Sequence, residues 1–204
     1  TATIISRAIF GRATIFDIPY LQLLPISYYG IVILVALASG LAGVIFNWGL
    51  LNIGRFYSLP CFKRPVQKIA FALICAGILG YFLPEVLGGG NDLINHLAKA
   101  PVSLQLLLIF LAGKLIFTLI SYGCGVPGGF FLPMLVIGAL CGSICAQMLI
   151  MLGWIEPAYA TNIMVVAMAA LFASSVRAPI TGTVLIMEMT ASYQQLLSPA
   201  IAAM

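Results

Sequence analysis

From Leu115 to Ile155 the chain carries no charged side chain, yet the middle of that run holds the tight turn "GCGVPGG" (Gly123 to Gly129), with Pro133 just beyond it. A run this long and this apolar belongs in a bilayer, where about 20 apolar residues cross the hydrocarbon core. Lipid offers backbone N–H and C=O groups no partner, so irregular backbone at that depth must be buried in protein or line a cavity. The turn therefore confines the chain to a narrow class. It should be a helical membrane protein in which some helices stop partway and face an interior site.

Composition agrees with that setting. Hydrophobic residues make up 63% of the chain and charged residues only 7%, against about 25% charged in a soluble domain. Further uncharged runs extend over Tyr29 to Gly54, Ile69 to Pro84 and Pro157 to Val176. They are continuously apolar and do not alternate, which excludes a β-barrel pattern. The net charge of +4 is too small to indicate nucleic acid. Its distribution matters more: "RFYSLPCFKRPVQK" gathers Arg55, Lys63, Arg64 and Lys68 between two apolar runs. By the positive-inside rule this loop is cytoplasmic, and "IFDIPYLQLLP" (Ile15 to Pro25) lies on the opposite face.

The hydrophobic pattern predicts an ordered string of helices. Thr1 to Phe10 reads as the tail of one, and a long helix follows over Tyr28 to Tyr57, with "SGLAG" (Ser39 to Gly43) supplying small residues for close helix contact. Further helices are expected over Val66 to Leu83, Val102 to Ile120, Phe131 to Leu152, Ile163 to Ser174 and Ile180 to Thr190, and from Tyr193 onward. A short one should follow the "LGGG" turn, capped by Asp92 after Asn91. "EPAYATN" reads as a loop and "SSVRAP" as a break. "GALCG" (Gly138 to Gly142) is a GxxxG packing pattern.

The turn has a chemical reading. The first turn of a helix leaves N–H groups without intrahelical partners, and the aligned peptide dipoles make that end partially positive. Such an end binds anions. Gly123, Gly125, Gly128 and Gly129 permit an unwound approach, and Gly129 leaves room for an ion against the backbone. Phe130 and Phe131 would supply amides while their rings restrict access, and Pro133 fits a first-turn position where its missing N–H costs nothing. An anion held only by dipoles can leave again, as conduction requires. Lys114, on the preceding helix, either adds a diffuse positive potential or snorkels to the interface. The alternative for the whole stretch is a kink whose glycines serve packing.

Three stretches in order along the chain carry a family resemblance. "GVPGGFFLP" resembles the G-x-F-x-P motif of the CLC family of chloride channels and chloride/proton antiporters, read over Gly129 to Pro133. "SSVRAPITGTVLIMEMTASYQQLLSP" (Ser174 to Pro199) resembles the family's penultimate helices, and "GGGNDLI" (Gly88 to Ile94) fits at the expected place. The resemblance covers residues 1–204 as the carboxy-terminal half of the membrane domain. It implies an all-α polytopic membrane protein, half of an inverted-topology repeat with tilted, partly non-spanning helices. It also implies a homodimer in a bacterial inner (plasma) membrane, with one anion pathway per subunit. Chloride would be bound by Gly129, Phe130 and Phe131, with Gly128, Pro133 and Lys114 supporting the motif. The family's serine loop and its gating and proton-handling glutamates would lie before Thr1, and its ion-contacting tyrosine beyond the last residue.

The function expected is chloride transport, by chloride/proton exchange or, as an alternative, by a passive voltage- or pH-gated channel. A non-transporting scaffold is the remaining reading. An intramembrane enzyme would need a nucleophile–base or paired-acid arrangement that the sequence does not display. No cofactor is expected: chloride and protons are substrates, and the bilayer and a second subunit are the partners. His96, with Asp92 one turn before it, falls short of the three or four ligands of a metal site. Cys61, Cys75, Cys124, Cys141 and Cys145 show no C-x-x-C pairing and read as reduced. Glu188, near a helix end, reads as a structural, hydrogen-bonded acid, and Glu85 as an exposed turn residue.

Overall fold

A computed structural model describes residues 16, 24–62, 64–99, 102–190 and 197–203. The helix read over Thr1 to Phe10 lies outside them, as do Tyr193, where the last helix is expected to start, and most of the Ile15 to Pro25 linker. The described residues form helices joined by turns: α1 Tyr29–Phe56, α2 Pro65–Phe82, α3 Asn91–Lys99, α4 Leu104–Gly123, α5 Phe131–Met151, α6 Ala160–Val176, α7 Pro179–Thr190 and α8 Leu197–Ala203. Five segments, containing α1, α2, α4, α5 and α6, are long and apolar enough to cross a membrane. At 9 and 12 residues, α3 and α7 are too short to do so.

The arrangement centres on α6, buried continuously from Asn162 to Ala173. A helix apolar all round has no solvent or lipid face to offer, so neighbours enclose it: α5, α1, α7 and α8 all pack against it. Close approach is made by glycine. A Cβ at Gly138 would stand 2.8 Å from Met168 Cα, and one at Gly142 would stand 2.6 Å from Met164 Cα. The GxxxG pattern thus lets the α5 and α6 backbones meet directly. On α1 the buried residues Val32, Val35, Ser39, Gly43, Phe46 and Gly49 recur every third or fourth position, a stripe that faces inward. Gly43 of the "SGLAG" segment lies against Leu171 and Ser174 of α6, as the small-residue reading expects. By contrast α2 has no buried residue and exposes Leu73, Ile74, Ile78, Tyr81 and Phe82.

Several boundaries differ from expectation for identifiable reasons. Gly90 turns the chain at φ +84°, so α3 already begins at Asn91 and Asp92 is its second residue, not its cap. The carboxylate still sits favourably against the helix dipole. "EPAYATN" is not wholly loop. Pro157 opens a short 3-10 turn through Tyr159, whose ring meets Tyr28 at 5.2 Å, and α6 starts at Ala160. The "SSVRAP" break contracts to Arg177 and Ala178, because α6 continues through Val176 until Arg177 adopts a left-handed φ of 59°.

Candidate functional site

Where α4 ends, its last carbonyls must find partners without water. Cys124 N–H turns back to Tyr122 O, and the Cys124 thiol donates to Ser121 O at 2.9 Å. The Tyr57 hydroxyl donates to Ile120 O at 2.9 Å. Burial, with Cys124 and Cys75 nearby, pushes the Tyr57 phenol up to about 12, so it remains an O–H donor at neutral pH. The chain then leaves the helix through Gly125, whose φ of +83° a side chain would resist.

The other glycines of the turn are not needed for unusual backbone angles. Gly123 is still helical, and a Cβ there would stand 2.6 Å from Ile53 Cγ1 and 2.8 Å from Tyr57 Cε2, so it permits close packing and not an unusual angle. Gly128 and Gly129 have ordinary φ values, and a Cβ on Gly129 would meet nothing within 4 Å. Open space lies in front of that backbone.

Phe130 stands at the N-cap of α5, and its carbonyl accepts the first helical bond, from Met134 N–H at 3.0 Å. Among the described residues no backbone carbonyl accepts from the N–H groups of Gly128, Gly129, Phe130, Phe131 or Leu132. Pro133, third in the helix, has no N–H to satisfy. The Phe130 ring sits edge-on to Tyr122 at 5.6 Å, and the Phe131 ring edge-on to Phe172 at 5.7 Å. Each ring is thus anchored to a neighbouring helix, which fixes the amide beside it.

Lys114 does not snorkel. It is 1% exposed, and its Nζ donates to Val86 O and Gly88 O, each at 2.8 Å. A buried ammonium must be hydrogen-bonded, and here the acceptors are neutral carbonyls, so the positive charge is left for its surroundings. The loop it holds threads between α4 and α5. A Cβ at Gly89 would stand 3.2 Å from Leu132 Cδ1, and one at Gly90 would stand 2.6 Å from Val136 Cγ2 and 3.2 Å from Lys114 Nζ. The glycine triplet and the buried lysine are one device, although in the sequence they stand as separate features. The available signal was that a lysine inside an apolar helix needs acceptors, and the unpaired carbonyls of the turn at Val86 and Gly88 supply them.

All six of the residues read as binding or motif-supporting line one cavity of about 690 Å3: Gly128, Gly129, Phe130, Phe131, Pro133 and Lys114. Thr118, Ser121 and Ala72 of α2 add to its wall. The remaining candidates stand apart from it. His96 is exposed on α3, and Glu85 is exposed in the turn before it. Glu188 is exposed on α7, and the polar stretch that follows it, residues 191–196, lies outside the described residues. Cys141 and Cys145 are partly buried on α5, and the described cysteines are free thiols.

Comparison with known proteins agrees with the motifs. The family described as voltage gated chloride channel matches residues 1–204. The H(+)/Cl(-) exchange transporters ClcA of Vibrio campbellii and Salmonella agona are each 34% identical over 203 residues, covering 96% of this chain and 42% of theirs. The chain therefore spans less than half the length of these relatives. Among solved structures, a slow cyanobacterial Cl-/H+ antiporter superposes with a TM-score of 0.82 at 27% identity, covering 99% of this chain and 48% of that one. A CLC-type fluoride/proton antiporter shares the fold at a TM-score of 0.73 and 20% identity, over 92% of this chain and 45% of its own. The chain belongs to the voltage-gated chloride channel (CLC) family.

Proposed function

We propose that this chain supplies the carboxy-terminal half of a chloride pathway, and that the protein it forms exchanges chloride for protons across a bacterial plasma membrane as a homodimer. The observation that carries the reading is a convergence on one cavity. N–H groups at the start of α5 that no described carbonyl accepts meet a lysine charge that no described carboxylate neutralises. Amide dipoles draw in an anion without trapping it, while Lys114 raises the local positive potential. Gly129, Phe130 and Phe131 contact the ion, Gly128 and Pro133 shape the backbone that does so, and Lys114 supplies charge beside it. The exchange activity named for the ClcA relatives supports the coupled reading. Transport in this scheme needs no covalent step and no cofactor.

The test uses the full parent chain in liposomes loaded with chloride, with an ionophore carrying compensating potassium. Chloride and pH electrodes run together. Chloride efflux that drives protons uphill is the expected result. Efflux without proton movement would make the same half-site part of a passive channel, and absence of any chloride efflux would sink the transport reading.

A further inference from the structure

Ile120 O is a carbonyl from the last turn of α4 that has lost its helical donor. In a continuing helix it would accept from Cys124 N–H, but that group bonds Tyr122 O instead. The Tyr57 hydroxyl, 63 positions away in sequence, takes its place at 2.9 Å. Tyr57 is 2% exposed and stands just past the end of α1. Its ring is fixed by those of Phe56, Phe62 and Phe71 at 5.5, 5.0 and 6.4 Å. The other edge of the ring abuts Gly123, the last residue of α4, closely enough that no side chain fits there. One turn of helix thus has its end set by a residue from the α1–α2 connection. The same turn carries Tyr122, against whose ring the Phe130 ring is seated at 5.6 Å.

We propose that Tyr57 is a positioning residue for the anion-facing turn: by bonding Ile120 O it ends α4 in the register from which Tyr122 seats Phe130, and so sets where the Phe130 and Phe131 amides point. Tyr57 itself does not line the cavity. The inference rests on the chloride-binding reading of those amides and adds to it a residue that lies outside the family motifs. Its mechanical logic is that an unwound segment between two helices is only as well placed as the helix end it departs from. A carbonyl left without its donor would relax toward another, and the helix end that carries it would move with it.

The experiment titrates the purified full parent chain with sodium chloride by calorimetry and records the melting temperature of each variant. Tyr57→Phe keeps the ring and removes only the hydroxyl. It should weaken chloride binding about threefold to tenfold, the factor that one net hydrogen bond represents. Phe71→Leu thins the same ring cluster and leaves the hydroxyl bond in place, so it should lower the melting temperature with little change in chloride Kd. An unchanged Kd in Tyr57→Phe overturns the proposal, whatever happens to its melting temperature. An equal rise in Kd for Phe71→Leu also overturns it, since the effect would then be one of general packing. If the wild type shows no saturable binding, the chloride site itself fails and this inference falls with it.

Discussion

Lys114 combines two properties that can be separated by substitution: a donor pair for Val86 O and Gly88 O, and a positive charge beside the cavity. Lys114→Met removes both. Leaving a buried carbonyl without its donor costs about 1–3 kcal/mol, so this variant should melt well below the wild type and bind chloride weakly. Lys114→Gln keeps two N–H donors on a neutral group, so it should recover much of the melting temperature while anion affinity stays low. Equal affinity in Lys114→Gln and wild type would confine the lysine to a structural clamp. Gly129 offers the converse case. A Cβ there meets nothing within 4 Å and the backbone angle suits any residue, so Gly129→Ala should fold as stably as the wild type. Its methyl would nevertheless stand where an ion approaches the amides. Chloride affinity by calorimetry should fall about tenfold, a steric effect of about 1.4 kcal/mol. Retained affinity would place the ion elsewhere along the cavity.

Among the elements, the contact between α5 and α6 is the least adaptable, because backbone meets backbone at Gly138 and Gly142. Gly142→Ala would put a Cβ 2.6 Å from Met164 Cα and 3.1 Å from Ile163 O, neither of which can rotate away. Overpacking of this kind costs about 1–3 kcal/mol, and thermal unfolding in detergent should show it. Gly40→Ala on α1, where a Cβ meets nothing within 4 Å, should instead be neutral or slightly stabilising. This contrast marks how far the sequence could be read. Helix existence and order followed from apolar runs, and the small-residue patterns at Gly43 and at Gly138 to Gly142 correctly announced close contacts. The turn "GCGVPGG" identified the candidate site because glycine and proline break a helix, and a break without charge inside an apolar run has to face the protein interior. What remained hidden were pairings between distant positions: Lys114 with the Gly88 carbonyl, and Tyr57 with Ile120. No local pattern encodes those, since each depends on which helix ends the fold brings together. The capping role expected of Asp92 failed for a similar reason, because the positive φ of Gly90 started α3 one residue early.

At the scale of the whole molecule, the direction of each crossing follows from one loop. Arg55, Arg64 and Lys68 flank the turn between α1 and α2 with no acid among them, and the positive-inside bias places such a loop in the cytoplasm. If α1 ends there, α2 runs outward, α4 returns, and the turn at 124–130 opens toward the cytoplasmic half of the membrane. Cys61 makes this orientation measurable, because it is exposed in that same loop while Cys75, Cys124, Cys141 and Cys145 are partly or fully buried in or beside helices. A membrane-impermeant maleimide, applied to the full parent protein in cells and in inverted vesicles, should modify Cys61 only in the inverted vesicles, as read by mass spectrometry of its peptide. Labelling from the outside of intact cells would reverse every crossing. The amides of Phe130 and Phe131 would then be reached from the opposite compartment, and the side from which chloride first meets Lys114 would change with them.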